Sequence, residues 1–134
     1  MVRKNYSSGA PLEEKMGYSR MVRLGNQIHI GGTTAVQPDG SVFGENDAYA
    51  QAGFIFDKFM RLLIQAGAGT KDVYKIKGYC VDMAKNGADV ARAFSERFHD
   101  VKPLFTVVGI AGLNRPTQLV EIELEAAAGT QVEA

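Results

Sequence analysis

The sequence predicts a single α/β (α+β) domain, a two-layer sandwich in which a mixed β-sheet carries two helices on one face. Three observations support this. The pattern of apolar runs and turn residues reads β-β-α-β-α-β-β, and two helices cannot cover both faces of a sheet of at least five strands. The run Leu119-Val120-Glu121-Ile122-Glu123-Leu124-Glu125-Ala126 alternates strictly, with Val120, Ile122, Leu124 and Ala126 on one face and the three glutamates on the other. Such a strand belongs to a sheet covered on one side only. Finally, the 134 residues are 46% hydrophobic and 22% charged, with no repeat, low-complexity tract or internal linker, so residues 1–134 read as one domain.

The elements follow in order. Residues 1–17 read as irregular, because Gly9, Pro11 and Gly17 interrupt any pattern. Residues 18–24 read as a strand, Gly25-Asn26 as a two-residue hairpin turn, and residues 27–34 as the partner strand. Gln37-Pro38-Asp39-Gly40 is a turn in which proline presets φ and glycine accepts a positive φ. Asn46 or Asp47 caps a helix that runs to about Ala66, with Ala52, Ile55, Phe56, Phe59, Leu62, Leu63 and Ala66 as its buried stripe. Gly67 ends it. Residues 73–81 form a third strand, and Asn86 or Asp89 opens a second helix with Val90, Ala93, Phe94, Arg97 and Phe98 on one side. Pro103 blocks further helix and admits two final strands, residues 103–110 and 119–126, joined by a turn built on Asn114-Arg115-Pro116. Helix-linked strands should run parallel through right-handed crossovers, and hairpins antiparallel.

Composition excludes several functions. Lys+Arg and Asp+Glu each number 15, for a formal net charge of zero. That balance argues against a nucleic-acid partner and against an anionic membrane surface. No apolar run approaches the length needed to span a bilayer. Arg3 and Lys4 have no apolar segment behind them, so a cytoplasmic protein is expected. The lone Cys80 has no intrachain disulfide partner, in keeping with a reducing compartment.

Each candidate for chemistry has a plain alternative. Glu121 and Glu123 are either a solvated face balanced by Lys75 and Lys77, or, under a second subunit, groups that position a water or take a proton. Cys80, within a strand, reads as a small buried hydrophobe. His29 and His99 are the only histidines, so a zinc site would need carboxylates to complete it, and no metal is expected. Gly67-Ala68-Gly69-Thr70-Lys71 follows a helix and precedes a strand, the reverse of what a phosphate loop requires. Gly31-Gly32, paired at a strand end, suggests a bulge or a close approach to a ligand or a neighbouring chain.

Several segments match one family in order and spacing: Tyr18 before the first strand, Leu24-Gly25-Asn26, Ile30-Gly31-Gly32, Leu63-Ile64-Gln65-Ala66-Gly67-Ala68, Asp72-Val73 and Val120-Glu121-Ile122-Glu123. Over nearly its whole length the chain resembles the Rid/YjgF family of reactive intermediate deaminases, also labelled endoribonuclease L-PSP. The resemblance implies a chorismate-mutase-like homotrimer in which three sheets face inward as a barrel. It implies small-molecule clefts between subunits and hydrolysis of enamines and imines such as 2-aminoacrylate, with no cofactor. In that family an arginine clamps the substrate carboxylate and a glutamate positions water. The glutamate matches Glu121 and the cleft aromatic matches Tyr18. The arginine of the Pro-Ala-Arg motif falls on Phe105, the serine of the Ser-Gly pair on Gly31 beside Gly32, and a helical asparagine on Ala91. Phenylalanine cannot imitate a bidentate carboxylate clamp.

The chain is therefore similar to the divergent, arginine-lacking, YjgH-like members. The expectation is a trimer that binds a small metabolite and hydrolyses or deaminates an enamine, imine or related compound other than standard 2-imino acids. Glu121 would be catalytic; Tyr18, Gly31, Gly32 and Phe105 would line the cleft, and Arg115 or Arg20 would supply the missing cation. The alternative is a non-catalytic trimer that binds a ligand or a protein, with ribonuclease activity a third reading.

Overall fold

The strand that alternates apolar and acidic residues, β6 (Val120–Ala127), lies at the heart of the sheet, between elements from the two halves of the chain. The computed structural model describes residues 1–133. In chain order its elements are β1 (Arg3–Tyr6), α1 (Pro11–Met16), β2 (Met21–Leu24), β3 (Gln27–Thr33), α2 (Ala48–Gln65), β4 (Val73–Val81), α3 (Met83–Phe98), β5 (Leu104–Ile110) and β6 (Val120–Ala127). The six strands form one mixed sheet of order β1-β2-β3-β6-β4-β5. Only β4 and β5 are neighbours in parallel, and the other adjacent pairs are antiparallel.

The covered face is built as the periodicity requires. Val120, Ile122, Leu124 and Ala126 of β6 are buried together with Ile28, Ile30, Ile76 and Cys80 from its neighbours. Against them pack Ile55, Phe56, Phe59 and Leu63 of α2 and Val90, Ala93 and Phe98 of α3. Phe56 meets Phe59 and Phe98 edge to face, with ring centroids 6.5 and 5.4 Å apart. Asp47 caps α2 by accepting from the Ala50 N–H at 3.0 Å.

The structure corrects four expectations. First, residues 1–17 are not irregular. Three of the four β1 residues are exposed, so this edge strand has no buried face to write a hydrophobic pattern, and it is fixed by pairing with β2. The supposed breakers around α1 are its caps: Pro11 sits in the first turn and Gly17 closes the helix at φ 82°. Second, β2 begins at Met21, because residues 18–20 turn toward the site described below. Third, α3 starts at Met83, not at Asn86 or Asp89. Asn86 lies inside the helix, where its amide donates to the Val81 carbonyl at 2.8 Å and ties the helix to β4. Fourth, β5 and β6 do not pair: β4 separates them, so the segment between them crosses an end of the sheet rather than making a hairpin.

No helix among the described residues is long and apolar enough to cross a membrane.

Candidate functional site

The three glutamates of β6 look alike in sequence and differ in structure. Glu125 stands 3.4 Å from His29 and 4.0 Å from Lys75 across the open face. Glu123 accepts from the Tyr79 hydroxyl at 3.2 Å and lies opposite Lys77 in the register. These two belong to the balanced face that the plain reading describes. Glu121 has no hydrogen-bond or ion-pair partner among the described residues.

Glu121 instead leans over the bulge in β3, where the register shifts between Ile30 and Thr33. A Cβ on Gly32 would lie 3.0 Å from its Oε1 and 3.1 Å from its Cδ. Gly32 is therefore a glycine so that this carboxylate has somewhere to lie. Burial pushes the Glu121 carboxyl above the ordinary carboxylate range; the Arg20 charge opposes that shift and Glu123 adds to it.

Arg20 organises the same corner. Its Nε donates to Glu13 Oε2 at 3.1 Å, its Nη1 to the Gly32 carbonyl and to Thr33 Oγ1, and its Nη2 to the Tyr18 hydroxyl at 3.1 Å. Both Arg20 and Glu13 are buried. Burial pushes the Glu13 carboxyl up, but hydrogen bonds from Ser8, Ser7 and Arg20 outweigh it and hold it below the ordinary value. Through this pair the short helix α1 is anchored to the β3 bulge.

The opposite wall comes from the segment between β5 and β6. Buried Gln51 of α2 holds it by donating to the Thr117 carbonyl at 2.8 Å and accepting from the Leu119 N–H at 2.9 Å. Gln118 donates to Thr34 Oγ1 at 3.1 Å. Arg115 is exposed and donates to the Gly40 carbonyl.

Between these walls is a cavity of about 620 Å³, lined by Tyr18, Arg20, Gly32, Arg115, Glu121 and Lys58 among others. The structure thus brings five of the sequence candidates together. Gly31 faces a separate hollow of about 230 Å³ with His29, Lys77 and Glu123. Phe105 lines neither: it packs toward α3, its ring stacked on Phe94 at 3.8 Å and 8°. Ala91 is exposed on α3. Cys80 is fully buried, and its thiol pKa is raised by burial and by the charges of Asp82 and Asp89, which suits an inert core residue.

Sequence reasoning missed Glu13 and Lys58. Glu13 sits in a helix too short to show periodicity. Lys58 interrupts the polar side of α2 like any surface lysine. In the fold it is half-buried, and burial followed by the Arg20 charge pushes its amine pKa down. A carboxyl driven up and an amine driven down on one cavity wall are a recurrent mark of acid–base sites.

Comparison with known proteins bears on the family and the fold. The endoribonuclease L-PSP family pattern matches residues 9–128. An uncharacterised protein of Streptomyces coelicolor is 31% identical over 126 residues, spanning 94% of this chain and 92% of its own length. A Mycobacterium tuberculosis protein described as a member of the YjgF/YER057c/UK114 family has a TM-score of 0.84 at 31% identity, covering 95% of this chain and 100% of that one. YjgH, at 23% identity and a TM-score of 0.81, covers 98% of this chain and 100% of that one and shares the fold.

Proposed function

Because the chain belongs to the endoribonuclease L-PSP family, the Rid/YjgF proteins, we propose that it is a homotrimeric hydrolase of small enamines or imines. Glu121 is its water-handling carboxylate. The observation that carries this reading is the unpaired Glu121, raised in pKa and lying over Gly32 in the 620 Å³ cavity. A carboxylate whose pKa is raised is a stronger base toward water than an ordinary one, which is what hydrolysis of an imine asks. Water adds to the imine carbon while Glu121 takes its proton. The proton passes to the nitrogen, the carbinolamine collapses, and the products are a carbonyl compound and ammonia.

The substrate is one without a carboxylate beside the imine. Four donors of Arg20 are already committed within the fold, Arg115 is turned to Gly40, and Phe105 is stacked on Phe94. Arg20 therefore keeps no free fork for a carboxylate and the Phe105 position supplies no cation, while Arg115 is exposed and bonded through Nη1 alone. The open sheet face supports the trimer, since a neighbouring copy laid against it would close the cavity's exposed side. Free Cys80 suits the reducing cytoplasm.

The test is ammonia release from a carboxylate-free N–H ketimine and from freshly generated 2-aminoacrylate, with the mass in solution measured by light scattering. The expected result is a trimer that turns over the neutral imine and not 2-aminoacrylate, with turnover lost in Glu121→Gln. A monomer, or turnover that survives Glu121→Gln, defeats the reading.

A further inference from the structure

The cavity wall carries a second reactive group that enamine hydrolysis by Glu121 does not use. Lys58 sits in the middle of α2. The residues one helical turn away on either side are Phe54, Ile55, Arg61 and Leu62, none of them acidic. Its acidic neighbour Asp57 faces α3 and pairs with Arg97 at 3.1 Å. The acid on the adjoining element, Glu13, is taken by Arg20, Ser7 and Ser8. Among the described residues Lys58 therefore has no hydrogen-bond or ion-pair partner. Half-buried, it opens into the 620 Å³ cavity and also into an adjoining one of about 300 Å³ lined by Ser7, Ser8, Phe54 and Leu62.

A lysine held only for charge would have an anion beside it. The charged groups that act on Lys58 from the elements around it are Arg20, Glu13 and Arg61. Burial and the two guanidinium groups favour the neutral amine, and Glu13 alone opposes them. An ordinary lysine is neutral in roughly one molecule in 2,500 at pH 7, and each unit of pKa depression multiplies that fraction by ten. Desolvation beside another cation is how an amine becomes a nucleophile toward carbonyl carbon.

We infer that Lys58 is a covalent carbonyl-binding residue, whose amine forms a reversible imine with a small aldehyde or ketone that enters the cavity. The Nζ lone pair makes the new bond to the carbonyl carbon, and the carbonyl π pair moves to oxygen. A proton passes from nitrogen to that oxygen to give the carbinolamine. The carbinolamine hydroxyl then takes a proton from solvent, the C–O bond breaks as the nitrogen lone pair forms C=N, water leaves, and the protonated C=N bond remains. The step consumes no oxidant or reductant. The ligand belongs to the same chemical class as the carbonyl product of imine hydrolysis. The inference thus rests on the cavity being a small-molecule site, but the capture step itself needs no catalysis by Glu121.

The experiment is reductive trapping. The full-length protein is exposed to limiting propanal with sodium cyanoborohydride at pH 7, and the modified lysines are mapped by peptide mass spectrometry. The chain has eight lysines. The expected result is modification of Lys58 at least tenfold faster than of exposed Lys4, Lys15 and Lys102, in wild type and in Glu121→Gln alike. Lys58→Arg, which keeps the charge, and Lys58→Met should each lose the fast phase while the other lysines react as before. Circular dichroism of each variant checks its fold. If Lys58 reacts no faster than the exposed lysines, the inference is overturned even in a protein that hydrolyses imines. Fast trapping in a protein that hydrolyses none would sustain Lys58 and sink the Glu121 reading instead.

Discussion

Glu121 lies so close over Gly32 that a methyl group added there would sit 3.0 Å from its Oε1. The atoms in the way are the tip of a flexible side chain, so Gly32→Ala should fold and move the carboxylate instead of the backbone. The expected outcome is a folded protein with turnover reduced by about tenfold or more, because a misplacement on the order of 1 Å at a reacting group is costly. A crystal structure of the variant would show Glu121 in a new rotamer. Unchanged turnover would mean that the position of Glu121 is unimportant.

Glu121→Gln should lower kcat by roughly 10²–10⁴-fold, the usual contribution of a positioned acid or base, with little change in KM. Its effect on stability has a definite sign. The folded-state pKa is raised, so the folded chain holds this proton more tightly than the unfolded chain does. That contribution is full below the unfolded value of about 4.3 and is lost as pH rises through the folded value. Removing the charge should therefore raise Tm at pH 8 and leave it nearly unchanged at pH 4. A lower Tm at pH 8 would contradict the assignment.

Glu13→Ala should be severe. It leaves Arg20 buried without its carboxylate, a change that typically costs about 3–5 kcal/mol. The Glu13 pKa is depressed, so its stabilisation is present above the unfolded value of about 4.3 and fades as pH falls through the folded value. Urea denaturation of wild type and Glu13→Gln between pH 3 and 7, a range of roughly four units about that value, should show a larger acid-dependent loss in wild type than in the variant.

The stack of Phe105 on Phe94 calls for a double-mutant cycle. Aromatic pairs contribute about 0.5–1.5 kcal/mol beyond their buried area. Phe94→Leu and Phe105→Leu should each destabilise the protein, and the double variant should lose less than the two losses added together. Strict additivity would mean that the two rings do not interact.

Cys80→Ala should leave turnover within a few-fold of wild type and cost about 1 kcal/mol for the small cavity left in the core. Abolished turnover in a folded variant would make the thiol a candidate nucleophile.

Sequence carried much of this fold because its burial is periodic. The alternation at 119–126, the helical stripe from Ala52 to Ala66 and the strand at 73–81 all appear where they were expected. Where burial writes no period, the reading failed. β1 is an exposed edge, and α1 has only six residues between Pro11 and Gly17. The pairing of β5 was misread because local pattern fixes which face a strand buries but not which strand lies beside it. Of the candidate site, Gly32 was legible through glycine pairing, and Tyr18 and Glu121 through the family resemblance. Glu13 and Lys58 were not, since the features that set them apart are a buried partner for one and the lack of any partner for the other.

The place of β6 in the sheet also bears on how the chain is made. Residues 120–127 bridge β3 and β4, so until they have been synthesised the β1-β2-β3 meander and the β4-β5 pair each present an unsatisfied inner edge. These two half-sheets cannot unite by docking directly on one another, because the slot between them is the width of a strand. Assembly waits for the last strand to be threaded into place, and during that wait the nascent chain is most exposed to pairing with other chains. A released chain cut short before residue 120 would hold out two adhesive edges, whereas one that includes residue 127 can close the sheet.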